Sequence, residues 1–369
     1  MLLKQRSPQN NLEAIVEDDG QSVYFYLQAR EGIVPEDRRF KACWVRNRTA
    51  APLTFERSTM ASGKAPLLPM MHCNHPEGLG PLEETELHVL WLESGDGAAL
   101  YENETPLALI TPWSGTDGNQ PYASECIDES PLCWPLAGQQ EAFDLLERTT
   151  RFWNLWDEEN FWTKSFEQIL ATYEEQFGEC QRRYDISQEV WPPKQLLEFH
   201  TDEERFFLTA GVSLRQMPTG EFLSIIDPNL GARRCEFAMA IPHGTSNEVT
   251  DHWLGYLSGQ TNFPWTYLRP LGHGYTLQCP ERPFSNKGED VKNGQAHEVD
   301  DSTISAVILT KGGPIFPQVD VPPFTALGEE EKAELLWLCP ISSKEKELAI
   351  SEGSDQLLER LATKKILFA

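Results

Sequence analysis

Residues 335–349 read LLWLCPISSKEKELA. The first part of this stretch is short and apolar throughout, which is typical of a strand buried on both faces. Ser342 and Glu345 have the spacing of a capping box, in which each side chain accepts a hydrogen bond from the other residue's amide. The stretch therefore predicts a buried strand over residues 335–339 that leads into a helix through Leu348.

The rest of the C-terminal half alternates short apolar runs with loops. Apolar runs rich in β-branched and aromatic residues and bounded by turn residues are typical of strands. Such runs lie at residues 206–214, 222–226, 235–241 and 304–309. Helical spacing predicts a helix over residues 248–257 and, after Gly353, a final helix. The face of that final helix carries Leu357, Leu358 and Leu361. The polar stretch 284–301 is expected to be a mobile surface loop.

The N-terminal half is predicted to be rich in β structure. Aromatic and β-branched runs indicate strands over residues 22–27 and 41–47. Residues 48–81 contain five prolines and three glycines, so we expect an irregular segment there. Tight turns then join three further runs, which predicts an antiparallel meander. Its strands are expected at residues 87–93, 98–102 and 106–111.

Helical periodicity begins at Glu141 and is interrupted at residues 157–160. A second helix follows and ends at Gly178. Its stripe consists of Trp162, Phe166, Ile169, Leu170, Tyr173 and Phe177. We interpret this aromatic stripe as core packing on a sheet rather than as a groove for a cofactor or partner. The length of the chain suggests two domains, and we place the boundary in this helical region, giving domains 1–156 and 157–369.

The charge of the chain is strongly negative. The 369 residues include 31 Lys and Arg against 57 Asp and Glu, for a formal net charge of −26. Residues 1–150 carry 11 basic and 23 acidic side chains, and residues 151–369 carry 20 and 34, so both halves are acidic. Nucleic-acid binding needs clustered basic residues, and the balance disfavours it. An acidic surface instead favours cationic partners, including basic proteins.

Composition and segment lengths indicate a globular, cytoplasmic protein. The hydrophobic fraction is 40% and includes 11 Trp, which is too much apolar material for a disordered chain. The first 20 residues lack the apolar core of a signal peptide, and no apolar run approaches the roughly 20 residues that cross a bilayer. The eight cysteines are widely spaced, so we expect reduced thiols. The oligomeric state is left open.

One loop carries residues that could perform chemistry. His72, Cys73 and His75 lie together in the proline-rich segment. A zinc site needs four ligands, yet no CxxC pair occurs and the nearest other thiols, Cys43 and Cys126, are far off in sequence. Adjacent residues rarely present the geometry of a nucleophile and its base. We therefore expect no catalytic, cofactor-binding or metal-binding residues, and an enzyme with a site around these three residues is kept as an alternative.

Glycines and carboxylates give no further signal. The turns at residues 95–97 and 272–274 lack the third glycine of a dinucleotide loop, and no phosphate-binding loop occurs. The carboxylate runs at residues 202–204, 300–301 and 329–331 are expected to be solvated.

Several segments of the C-terminal half together resemble the suppressor-of-fused (SUFU) domain. They are the strand and helix at residues 335–349, residues 352–355 with the leucine pair 357–358, and upstream residues 209–213, 236–242 and 255–264. The resemblance spans about residues 165–365 and lies in the order and spacing of these segments.

The resemblance implies a compact α+β domain without catalysis or a required cofactor. Animal members of the family sequester transcription factors of the Hedgehog pathway by holding a short peptide, and many bacterial members look like immunity proteins that neutralise a toxin encoded beside them. In this chain the additional domain precedes the matched region, and no peptide-binding residue is carried over.

Together the sequence predicts an α+β protein of two domains, with an N-terminal, mainly antiparallel β domain and a C-terminal SUFU-like domain containing a mixed sheet and flanking helices. The expected function is non-catalytic protein binding, as a bacterial immunity or antitoxin protein that neutralises a toxin stoichiometrically; the expected partner is a protein, such as a basic toxin domain, rather than nucleic acid or membrane. The alternative is a regulator that sequesters a peptide or transcription factor by strand addition.

Overall fold

The structure is a computed structural model. It describes residues 1–8, 11–29, 40–55, 64–116, 118–187, 191–218, 233–279, 304–313 and 315–362. The strand expected at residues 222–226 and the loop expected at 284–301 lie outside the described residues.

The chain begins with a four-stranded antiparallel sheet. Its strands, in spatial order, are β1 (Leu3–Arg6), β2 (Leu12–Asp18), β3 (Ser22–Ala29) and β4 (Phe40–Asn47). The two strands expected at residues 22–27 and 41–47 are confirmed. In β2, Leu12, Ala14 and Val16 are buried while Glu13 and Glu17 are not, so this strand alternates between core and solvent.

A five-stranded sheet follows and contains the predicted meander. Its strands, in spatial order, are β5 (Leu87–Trp91), β6 (Ala98–Glu102), β7 (Thr105–Ile110), β8 (Tyr122–Ala123) and β9 (Trp134–Pro135). Strand β4 packs against β7 and β8, so the two sheets share one core. Within the described part of the irregular segment 48–81, the regular structure is the 3-10 turn Met70–His72; a second such turn, Glu84–Glu86, precedes β5.

Two helices follow the meander, α1 (Gln140–Asp157) and α2 (Phe161–Phe177). Helix α1 contributes to two cores. Near its start, Leu146 packs with Leu92 and Leu109 of the five-stranded sheet, whereas Phe152 packs in the core of the C-terminal half. The interruption expected at residues 157–160 separates the two helices. The domain boundary at 156/157 remains a prediction, and it falls at the end of a helix that both cores share.

The C-terminal half contains a seven-stranded mixed sheet. The strands in chain order are β10 (Arg182–Asp185), β11 (Gln195–His200), β12 (Glu204–Ala210), β13 (Arg234–Pro242), β14 (Thr276–Gln278), β15 (Ile304–Thr310) and β16 (Ala333–Ser342). Their spatial order is β10-β11-β12-β13-β16-β15-β14. The central pair β13 and β16 is parallel, and the other neighbours are antiparallel.

Strand β16 lies at the centre of the sheet and is buried on both faces, as its apolar sequence predicts. Trp337 and Cys339 belong to the core on the α2 side, while Leu336 and Leu338 belong to the core on the other side. The remaining helices cover the two faces and are α3 (Asn247–Gln260), α4 (Phe263–Tyr267), α5 (Ser343–Glu352) and α6 (Ser354–Leu361). The fold is therefore the expected combination of an antiparallel β-rich half and a mixed α+β half. Among the helices of the described residues, none is long and apolar enough to cross a membrane.

The expected capping box joins β16 to α5. The Ser342 hydroxyl accepts from the Glu345 amide at 3.3 Å, and the Glu345 carboxylate accepts from the Ser342 amide at 2.9 Å. Each contact satisfies an amide that the first turn of the helix leaves without a partner. The predicted face of α6 is also confirmed, since Leu357, Leu358 and Leu361 are all buried.

We expect Ser342→Ala to lower the free energy of unfolding by about 1 kcal/mol, because an alanine cap leaves the Glu345 amide unsatisfied. Ser351→Ala, an exposed position in the same helix, is the matched control and should change stability by less than about 0.5 kcal/mol. Urea unfolding followed by circular dichroism measures both variants. Equal effects at the two positions would contradict the assignment of Ser342 as the cap.

Candidate functional site

A buried network of four charged side chains joins the two halves of the chain. Glu93 lies just after β5, Arg148 in α1, Arg234 at the start of β13 and Glu331 just before β16. Arg234 contacts Glu93 at 2.5 Å and Glu331 at 3.0 Å. Arg148 contacts Glu93 at 3.0 Å and also forms an ion pair with Glu331. The formal charges of the four groups sum to zero, and the Arg234 side chain is fully buried.

Residues Arg215 and Gln216 extend this network towards two tryptophans. The Arg215 Nε atom donates to the Glu93 carbonyl at 3.1 Å, and the Gln216 side chain donates to Glu331 at 2.6 Å. The Arg215 guanidinium lies over the rings of Trp265, at 4.3 Å, and Trp191, at 5.3 Å. Burial lowers the pKa of Arg215, and the nearby charges of Glu93 and Asp96 oppose that effect.

A groove with a volume of about 650 Å³ lies beside this network. Its walls are the end of α1, the start of α2 and the segment before β11. The residues that line it are Trp153, Trp156, Asp157, Glu158, Glu159, Trp162, Trp191 and Pro193. The four tryptophans are half-buried and the three carboxylates are exposed. Trp191 packs against Trp153 and Trp156 with ring centroids 4.9 and 5.1 Å apart, so three of the rings form one cluster.

The fourth tryptophan, Trp162, is positioned by close packing against Gly211. A Cβ atom at Gly211 would lie 2.7 Å from the Trp162 ring, and the Gly211 φ of +112° is itself unfavourable for other residues. The buried Glu236 carboxylate holds this turn, because it accepts from the amides of Gly211 and Ser213 at 2.9 Å and from the hydroxyl of Thr209 at 2.6 Å. Burial raises the pKa of Glu236, and these hydrogen bonds limit that rise.

One interpretation from the sequence needs correction at this site, and another needs an addition. The carboxylates at residues 329–331 were expected to be solvated, but Glu331 is largely buried and paired with two arginines, while Glu329 and Glu330 are exposed. The stripe of α2 was interpreted as core, which holds for Phe166, Ile169, Leu170 and Tyr173. Trp162 and Phe177 are half-buried and pack against the same core, and Trp162 also lines the groove.

The structure places His72, Cys73 and His75 in one loop, where Cys73 and His75 have separate partners and the His72 Nδ1 atom is buried without a hydrogen bond to any described residue. The Cys73 thiol donates to the Leu68 carbonyl at 3.3 Å and accepts from the Asn47 amide at 3.5 Å. His75 pairs with Glu125 at 2.6 Å, which raises the pKa of His75. Burial, together with the charges of Cys126 and Glu125, raises the pKa of Cys73 to about 12. The contacts of Cys73 and His75 are local and do not join the two side chains to each other.

The part of the chain that the structure describes also contains no cluster of potential metal ligands. No group of three or more His, Cys, Asp or Glu side chains is arranged there to hold a metal ion. All eight cysteines are free thiols, and seven of them are buried; Cys180 is half-buried.

The family comparison defines the class of the C-terminal half of the chain. Its two halves form a mixed α+β protein, and residues 191–368 match the family model described as Suppressor of fused protein (SUFU). The chain therefore carries a SUFU family domain in its C-terminal half, from just before β11 to beyond α6. The resemblance expected over about residues 165–365 is confirmed over this range. No curated protein and no solved structure matches the chain.

We expect Glu331→Gln to lower the free energy of unfolding at neutral pH by about 3 kcal/mol, because it leaves two guanidinium groups facing one carboxylate. Glu330→Gln is the matched control. Because Glu330 is exposed, this substitution should leave the free energy of unfolding almost unchanged. Urea unfolding at pH 7 measures both.

The difference between wild type and Glu331→Gln should depend on pH. Burial alone would raise the pKa of Glu331, but the charges of Arg234 and Arg148 and the hydrogen bond from Gln216 hold it below its usual value. A lowered pKa in the folded state stabilises the fold above the unfolded pKa of about 4.5, and that contribution is lost as the pH falls below it. The stability gap should narrow between pH 5 and pH 3; a constant gap would contradict the network.

The raised pKa of the Cys73 thiol predicts slow alkylation. At pH 8, a thiol with a pKa of about 12 has roughly a thousandfold less thiolate than an unperturbed cysteine. In the folded protein, iodoacetamide should label the half-buried Cys180 first and leave Cys73 unmodified, whereas unfolding in urea should expose all eight thiols. Peptide mapping by mass spectrometry identifies the sites, and Cys180→Ser should remove the early label. Early labelling of Cys73 would instead support a reactive thiol.

Proposed function

We propose that the chain is a non-catalytic, protein-binding member of the SUFU family, acting in the cytoplasm as a bacterial immunity or antitoxin protein. It neutralises its toxin by stoichiometric binding that covers the toxin's functional surface. The observation that carries the proposal is the SUFU family domain at residues 191–368, because many bacterial proteins with this domain resemble immunity proteins.

The charge of the chain supports a basic protein partner. The net charge of −26 is spread over both halves. A nuclease toxin must be basic to hold its own substrate, and an acidic inhibitor attracts such a surface over long distances. Electrostatic attraction of this kind raises association rates by roughly 10- to 1,000-fold at low salt and fades as salt screens it.

The proposal predicts rescue by co-expression. Expression of the protein encoded beside this gene should stop growth of a host strain, and co-expression with this chain should restore it. The two proteins should co-purify in equimolar amounts, and stopped-flow measurements should show association slowing by tenfold or more between 0.02 and 0.5 M salt. The proposal would be contradicted if the neighbouring gene's product does not harm the host. It would also be contradicted if that product stops growth and this chain neither restores growth nor forms a complex with it.

The same assay addresses the enzyme alternative. A chain with Cys73→Ala and His75→Ala should rescue growth as well as the wild type, because the proposal assigns no chemistry to that loop. Loss of rescue by a stable variant would favour a site around His72, Cys73 and His75.

The alternative protein-binding mode is capture of a peptide by strand addition. The observation that favours it is β10, an outer strand of the seven-stranded sheet whose Arg182, Arg183 and Asp185 side chains are exposed. An outer strand has backbone groups available for one more strand. Under this mode, an affinity column of the chain would retain unfolded or extended segments, and a folded toxin domain would not be required.

A further inference from the structure

The groove at the junction of α1 and α2 combines aromatic walls with a negative rim. Half of its lining residues are tryptophans, and the three charged lining residues, Asp157, Glu158 and Glu159, are all acidic. Tryptophan faces attract cations through the ring quadrupole, and the attraction strengthens where water is partly excluded. Carboxylates close to such faces add a Coulomb term of the same sign. The groove is thus complementary to a cation that also has a flat, weakly hydrated surface.

The chain itself shows which cation stacks on one of these rings. The guanidinium of Arg215 lies over Trp191, which is also a wall of the groove. Arginine suits such a position better than lysine, because its guanidinium is planar and less strongly hydrated than an ammonium group. Arg215 and a second buried cation, Lys194, which follows the lining residue Pro193, are close enough to interact. The charges of Glu93 and Asp96 raise the pKa of Arg215 against the effect of its burial. Burial lowers the pKa of Lys194 to about 8.

We propose that this groove receives an arginine side chain from a basic surface of the protein partner. The inference rests on the proposed function, since it assigns the partner's chemistry to one place on this chain. The volume of about 650 Å³ is in the range that holds drug-sized ligands, so neighbouring main-chain atoms of the partner fit beside the side chain. A second copy of this chain is disfavoured as the occupant by its charge of −26, and an anionic membrane is disfavoured by the acidic rim.

The test uses a five-residue peptide of alternating glycine and arginine, with lysine and glutamine versions for comparison. Binding to the full chain is followed by calorimetry and by tryptophan fluorescence at 0.15 M salt, where distant charges are largely screened. The arginine peptide should bind more tightly than the lysine peptide, and the glutamine peptide should show no measurable binding. Equal affinity for the arginine and lysine peptides would overturn the stacking argument.

Two matched charge variants locate the site. The first carries Asp157→Asn, Glu158→Gln and Glu159→Gln at the rim; the second carries Glu83→Gln, Glu84→Gln and Glu86→Gln at another exposed turn. Both remove three negative charges, so the net charge is matched. The rim variant should bind the arginine peptide about tenfold more weakly, and the control variant should bind it within about twofold of wild type. Equal losses would show that only net charge matters and would overturn the proposal.

A third variant tests the aromatic wall. Trp162→Leu removes a ring from the groove and should also weaken binding of the arginine peptide while leaving the rim charges in place. Circular dichroism checks that this variant is folded. If it is not folded, the comparison of the rim variant with the control variant tests the proposal by itself. Binding of free arginine amide as tightly as the peptide would also overturn the proposal, because a partner's main chain would then contribute nothing.

Failure of this inference can be separated from failure of the proposed function. If the rim variant rescues growth and binds the toxin as well as the control variant does, the toxin contacts another surface and the groove assignment is wrong while the immunity role stands. If the chain binds no toxin, but the rim variant binds the arginine peptide more weakly than the control variant does, the groove binds arginine and the immunity role is wrong.

Discussion

The four-charge network of Glu93, Arg148, Arg234 and Glu331 is the constraint on which the rest of the structure depends. It gathers the turn after β5, helix α1 and the approaches to β13 and β16 around one buried point. A buried charge without its partner costs several kcal/mol, so each of these segments can reach its place only if the others do. The N-terminal sheet and the central strands of the C-terminal sheet are therefore specified together.

The groove follows from that arrangement. Arg148 fixes one turn of α1, and Trp153 and Trp156 follow on the next turns of the same helix. On the opposite side, Glu236 holds the Gly211 turn against Trp162. The aromatic walls are thus held by buried polar groups rather than by aromatic packing alone. The carboxylate rim consists of the last residue of α1 and the start of the short connection to α2, and its residues are exposed to solvent.

The sequence predicted those parts of the fold that depend on neighbours along the chain. The strand at β16, the capping box at Ser342 and the meander of β5 to β7 all have local signals of period, spacing or turn residues. The four-charge network has no such local signal in the sequence, because Glu93 and Arg234 are 141 positions apart and a glutamate in a turn is usually solvated. Helical periodicity identifies the face of α2 that packs against the core, but it does not show that Trp162 at the edge of that face also lines a groove. The short strand β10 was missed because three of its four residues are charged.

Helix α1 has a mechanical consequence. Its 18 residues span about 27 Å, and one end is packed in the core of the five-stranded sheet while the other end forms a wall of the groove. A rigid helix held at both ends transmits displacement along its axis. The wall formed by Trp153 and Trp156 is therefore tied mechanically to the five-stranded sheet through the helix, although the two lie at its opposite ends.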